Sequence, residues 1–151
     1  MSDAADLPVQ SRWGFAEPGP LRDELTALAL AGTKTTTASL LVEYELDGES
    51  LPVPGQHDVL VDSDDRPVAI VETVSCRVIR LADVDDRHAI DEGEGYGDAA
   101  AFRIAHERYW NRDLDTLRDR LGDPGFRLTD DTLIVAERFR IVERLDDTPI
   151  G

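Results

Sequence analysis

Two long β-forming runs set the frame for this chain. The first is Pro67 to Leu81, with Val68, Ile70, Val74, Val78 and Ile79 around Thr73; the second is Thr132 to Leu145, ending in Phe139, Ile141, Val142 and Leu145 among charges. Two helical stretches lie between them, and one helix precedes the first short strand. The order helix, short strands, two helices, long strand does not alternate as βαβ units, which disfavours a doubly wound parallel sheet. The expectation is the α+β class: a small, mixed, mostly antiparallel sheet or β-barrel flanked by helices.

Local punctuation places the remaining elements. Residues 1–19 carry Pro8, Pro18 and Gly19 and read as an arm whose end is pinned by Trp13 and Phe15. Pro20 opens a helix at the first-turn position, Leu21, Leu25 and Leu28 form an apolar face, and Gly32 ends it as a left-handed cap. Ser39–Leu46 fits a strand or a short helix. Asp47-Gly48 is a turn, Pro52–Gly55 a loop, His57–Asp62 a short strand and Asp64–Arg66 a turn. Residues 82–97 are acidic and glycine-bearing and read as a loop. Asp98 caps a helix through Phe102, Ala105 and Tyr109; a second helix carries Leu114, Leu117 and Leu121 and stops at Gly122. The expected organisation is an arm over 1–19, one domain over 20–146 and a tail over 147–151.

The length of 151 residues is enough for one real core, and no stretch approaches the ~20 apolar residues of a membrane helix. The acidic start Met-Ser-Asp-Ala-Ala-Asp lacks the apolar run of a signal peptide. The lone Cys76 allows no internal disulfide and too few thiols for a cysteine metal site, so a reducing cytoplasm is expected. The net charge of −16 repels a phosphate backbone at long range and argues against bulk DNA as a partner. A local site for one nucleotide, nucleoside or short RNA element is compatible with that charge. No membrane partner and no cofactor are expected, and the oligomeric state is left open.

Lys34 is the only lysine against fifteen arginines, and it stands in Gly32-Thr-Lys-Thr-Thr-Thr-Ala-Ser39. A lysine after a helix stop can simply be a solvated cation favoured by the helix dipole. It can also do what arginine cannot: lose its proton and act as a base. Thr37, three residues on, is a hydroxyl partner where a turn brings the two together. Glu92-Gly-Glu-Gly-Tyr-Gly97 is either a loosened acidic surface loop or a source of a carboxylate acid–base group, with glycines that admit a ligand. His57, His88 and His106 are scattered and show no metal-ligand spacing, so no metal is expected. Trp13, Tyr109 and Trp110 can stack on a base or fill a core. Cys76, in an apolar run, reads as a packing residue.

Leu28-Ala-Leu-Ala-Gly32-Thr-Lys34-Thr-Thr-Thr37-Ala-Ser-Leu40 resembles the signature of ASCH domains (activating signal cointegrator homology), within the PUA-like group. His88-Ala-Ile-Asp-Glu92-Gly-Glu-Gly95, Phe102-Arg-Ile-Ala-His106-Glu-Arg-Tyr-Trp110 and Glu137-Arg-Phe-Arg-Ile-Val142 follow in the family's order, and the chain looks like a bacterial, stand-alone member. The resemblance implies a small β-barrel with helices around it, a cleft beside the Gly-x-Lys loop, and RNA or modified-nucleoside binding. Some bacterial members are amidohydrolases that remove the acetyl group of N4-acetylcytidine. By motif position the resemblance implies Lys34 as base, Thr37 as nucleophile and Glu92 as proton shuttle, with Gly32, Thr35, Glu94 and Trp13 lining the ligand. The chain is longer than those enzymes and has Ala38-Ser39 where they place an arginine. The alternatives are a non-catalytic RNA-binding or regulatory module, or a ribonuclease.

Overall fold

The computed structural model describes residues 9–145. Its elements are β1 (Ser11–Trp13), α1 (Pro20–Leu30), β2 (Thr36–Leu40), α2 (Leu41–Asp47), β3 (His57–Val61), β4 (Pro67–Arg80), a 3-10 turn (Leu81–Asp83), α3 (Asp86–Asp91), α4 (Ala99–Asn111), α5 (Leu114–Leu121) and β5 (Leu133–Arg144). The five strands form one sheet in the order β1-β3-β4-β5-β2. β1 pairs parallel with β3, Ser11 opposite Asp58 and Trp13 opposite Leu60. β3 pairs antiparallel with β4, His57 opposite Glu72, with a register shift at Leu60/Val61. The mixed, mostly antiparallel α+β class expected from the sequence is what the chain adopts. The barrel is not: β1 and β2 are the two ends of an open order. Both are short, three and five residues, and so offer little backbone for closure.

The described chain divides into two compact units, one holding 9–35, 52–76 and 137–145, the other 36–51 and 77–136. In the first unit Phe15, Leu25, Ala29, Leu60, Val68, Ala69, Val71 and Phe139 form the core. Pro20 occupies the first turn of α1, where its missing N–H costs nothing. The buried face of α1 is Leu25, Thr26 and Ala29; Leu21, read as part of the face, is exposed. Thr26 can be buried because its hydroxyl donates to the Arg22 carbonyl at 2.6 Å. The helix ends as read: Gly32 has φ +81°, and the Thr33 and Lys34 amides both donate to the Leu28 carbonyl. That cap turns the chain so that Lys34 enters the unit as the next residue but one. The arm is a genuine edge strand over Ser11–Trp13; the expected tail 147–151 lies outside the described residues.

The second unit packs Leu40, Leu81, Val84, Ala89, Phe102, Trp110, Leu117 and Ile134. The segment Ser39–Leu46, compatible with strand or helix, is both: β2 ends at Leu40 and α2 begins at Leu41. The loop expected at 82–97 contains α3. Its six residues are too few to show a helical period, but Asp85 caps it, accepting the His88 amide at 2.8 Å. Asp98 caps α4 by accepting the Ala101 amide at 2.9 Å, as the sequence suggested.

Candidate functional site

In the first unit Lys34 is 2% exposed, and its ammonium stands 5.4 Å from the centroid of the Phe15 ring. A cation over an aromatic face keeps part of the attraction it loses on leaving water. Phe15 belongs to an aromatic group with Trp13 (ring centroids 5.0 Å apart) and Phe139 (5.9 Å). Trp13 is half-buried, and its indole N–H donates to Asp58 Oδ2 at 3.3 Å. Asp58 is buried and also accepts from the Ser11 amide, the Ser11 hydroxyl and the Gln56 side-chain amide. Four donor groups converge on this one carboxylate.

A second carboxyl lies close to Asp58. Glu137, on β5, is 6% exposed and accepts the Thr73 hydroxyl at Oε2, 2.9 Å away. Burial is the largest cause of a pKa raised to about 7; the Thr73 bond opposes it and the Asp58 charge adds to it. Burial, and then the Glu137 charge, also push the Cys76 thiol up to about 11. Cys76 on β4 is therefore a packing residue and not a thiolate nucleophile at neutral pH. Thr35 holds its unit by backbone, accepting the Phe139 amide at 3.0 Å, while its hydroxyl accepts from the Arg138 guanidinium at 3.4 Å.

In the second unit Glu92 caps the end of α3 and is 1% exposed. Nε2 of His88 is hydrogen-bonded with its Oε2 at 2.8 Å, and Nε2 of His106 lies 3.6 Å from its Oε1. His106 Nδ1 is 3.0 Å from the Phe102 carbonyl, which only accepts, so Nδ1 carries a hydrogen. Nε2 is therefore the ring nitrogen that His106 turns toward Glu92. The ring is fixed by stacking on Phe102 at 3.8 Å, with Tyr96 and Trp110 at its other sides. Glu94 accepts the Tyr96 hydroxyl at 3.3 Å. Burial, then the charges of Glu94 and Glu92, raise that hydroxyl well above the usual tyrosine range. Thr36 is buried, its hydroxyl donating to the His88 carbonyl at 2.9 Å, whereas Thr37 next to it on β2 is half-buried and points to the opposite face. No group of three His, Cys, Asp or Glu among the described residues is arranged to hold a metal.

The candidate residues therefore fall into two groups, one in each unit. Lys34, Thr35, Gly32 and Trp13 belong to the first; Thr37, Glu92 and Glu94 belong to the second. Reading the sequence missed His88 and His106 as partners of Glu92. His88 and Glu92 stand four apart, which signals contact only on a helix, and α3 had been read as loop. It also missed Glu137, although a carboxylate in Ile134-Val-Ala-Glu137-Arg-Phe139, in phase with a core phenylalanine, carries that signal.

The ASCH-domain family model matches residues 11–143, nearly the whole described chain. The chain belongs to the ASCH-domain family. Two crystal structures show how far the ASCH fold of this chain extends. A protein of Enterococcus faecalis, EF3133, is 25% identical and superposes with a TM-score of 0.77 over 92% of this chain and 80% of its own. An ASCH domain from Lactobacillus crispatus is 28% identical, with a TM-score of 0.74 over 88% and 79%. Comparison with curated proteins gives no match. No described helix of this ASCH domain is long and apolar enough to cross a membrane.

Proposed function

We propose that this ASCH domain binds a nucleoside, or a nucleotide or short RNA element presenting one, at Lys34, and that it hydrolyses an amide on that ligand of the N4-acetylcytidine type. The observation that carries the proposal is the burial of the chain's only lysine. Removing an ammonium from water is costly, and a surface role needs no such placement. Arginine serves every other basic position, so Lys34 is kept for what arginine lacks, a removable proton. In the reaction Lys34 is the base, Thr37 the nucleophile on the acetyl carbonyl, and Glu92 the group that returns a proton to the leaving nitrogen; the acetyl group leaves to water as acetate. The roles of Thr37 and Glu92 rest on the family pattern, and the two imidazoles set against Glu92 support the second of them.

A ligand of this size agrees with the charge of −16, which works against long polyanions and leaves small ones unaffected at close range. The test is a panel of acetylated and unmodified nucleosides incubated with the protein, with binding and acetate release followed together. Release of acetate from N4-acetylcytidine is the expected result. Binding without release would make the chain a non-catalytic module, and no binding by any member would remove the nucleoside reading.

A further inference from the structure

The buried face of α4 carries Phe102, His106 and Trp110, four residues apart, so a histidine stands in the middle of a row of large rings. Its side chain is 12% exposed, and three rings hold it: Phe102 stacked at 3.8 Å between centroids, Trp110 at 5.1 Å and Tyr96 at 5.8 Å. The hydrogen bond from Nδ1 to the Phe102 carbonyl fixes its rotation. Packing alone asks for a phenylalanine or leucine at this position. An imidazole brings a polar nitrogen into an apolar row, which costs free energy unless that nitrogen has a use. The nitrogen is Nε2, and it faces Oε1 of Glu92 at 3.6 Å. The other oxygen, Oε2, is bonded with His88 Nε2 at 2.8 Å. His88 lies on α3, which Glu92 itself caps, so that contact moves with the helix. His106 comes from α4, which packs on α3, and sets the carboxyl relative to a second element. A separation of 3.6 Å is longer than a hydrogen bond, and a small turn of the carboxyl closes it. Catalytic hydrogen bonds commonly tighten in this way only once the ligand is in place.

We infer that His106 is a positioning residue for Glu92: its Nε2 and the His88 ring bracket the two carboxyl oxygens and aim the carboxyl during the reaction. The inference rests on the proposed hydrolysis, in which Glu92 returns a proton to the leaving nitrogen. A carboxyl held only by His88 can swing about that one contact, and an error of about an ångström in a reacting group costs up to about 100-fold in rate. The ring that prevents the swing is itself immobile, wedged between Phe102 and Trp110, so the direction from Nε2 to Oε1 is set by α4. His106 acts only through Glu92. Its loss therefore slows the chemical step and leaves ligand affinity little changed.

Two substitutions separate this role from packing. His106→Phe keeps a ring on Phe102 and removes both nitrogens; His106→Gln gives up the ring and keeps a nitrogen at the reach of Nε2. The measurement is single-turnover acetate release from N4-acetylcytidine, with affinity determined on the same samples. The rate is expected to fall about 10- to 100-fold in His106→Phe at an affinity within a few-fold of wild type, and to recover in part in His106→Gln. His106→Asn, whose amide is one carbon too short to reach Glu92, repeats the comparison with His106→Gln at equal loss of the ring, and stands in for His106→Phe if that variant does not fold. It is expected to be slower than His106→Gln. A wild-type rate in His106→Phe, or equal rates in His106→Gln and His106→Asn, makes His106 a packing residue and overturns this inference alone. Absence of acetate release by wild-type protein overturns the proposed hydrolysis and this inference with it.

Discussion

His106 faces Glu92 with the nitrogen that its own hydrogen bond to the Phe102 carbonyl leaves available, Nε2 to Oε1 at 3.6 Å. The imidazole of His106 is expected to carry hydrogen on Nδ1 throughout the neutral range. Nitrogen-15 NMR of histidine-labelled protein at about pH 7 reads this directly. A His106 ring protonated only at Nε2 would contradict the Nδ1 hydrogen bond to the Phe102 carbonyl.

Glu92 is the buried hydrogen-bond partner of the His88 ring. Glu92→Ala is expected to cost about 2–4 kcal/mol in urea denaturation, because it leaves His88 Nε2 without its buried partner. Glu92→Gln, which keeps an acceptor, should cost less than Glu92→Ala. Equal stability of wild type and Glu92→Ala would mean that the contact contributes nothing to the fold.

Glu137 links stability to pH. Its carboxyl rises from 4.5 to about 7 on folding, so across that interval the folded chain binds more protons than the unfolded one. Its contribution is present at the acid end and is lost as pH rises towards 7, by an amount on the order of 3 kcal/mol. Glu137→Gln cannot titrate, so its stability relative to wild type should grow between about pH 4.5 and 7. Urea midpoints measured across that window check it; parallel curves for the two proteins would show that Glu137 does not titrate between the two states.

Cys76 should be a poor nucleophile in the folded chain. With its thiol pushed up to about 11, little thiolate is present at mildly alkaline pH. The higher intrinsic reactivity of a high-pKa thiolate offsets only part of that loss. Alkylation by iodoacetamide is expected to be at least about tenfold slower in native protein than in urea-unfolded protein. Equal rates would place Cys76 in an ordinary solvated setting.

Much of the fold was legible because its signals are local. Pro20, Gly32, Asp98 and Gly122 act on the backbone within one turn, and each marks a helix end where it was read. The long runs at 67–81 and 132–145 became β4 and β5, with β5 inside the sheet order, since β-branched content over a dozen residues outweighs other preferences. Sheet closure depends on pairing between strands remote in sequence, and nothing in the short runs at Ser11 and Thr36 encodes it. Lys34 and Glu92 announced themselves by rarity and by family pattern. Glu137 and His106 did not, since their importance comes from which groups the folded chain sets against them, a property of the packing.

The claim at the centre is that position 34 holds lysine for a proton that arginine cannot release. The most direct measurement is single-turnover hydrolysis of N4-acetylcytidine by wild type and Lys34→Arg, with ligand affinity determined on the same samples. Lys34→Arg is expected to keep affinity within a few-fold and to lose at least ~100-fold in the chemical step, the usual worth of a positioned base. Wild-type rates in Lys34→Arg would contradict the claim and reduce Lys34 to a buried positive charge.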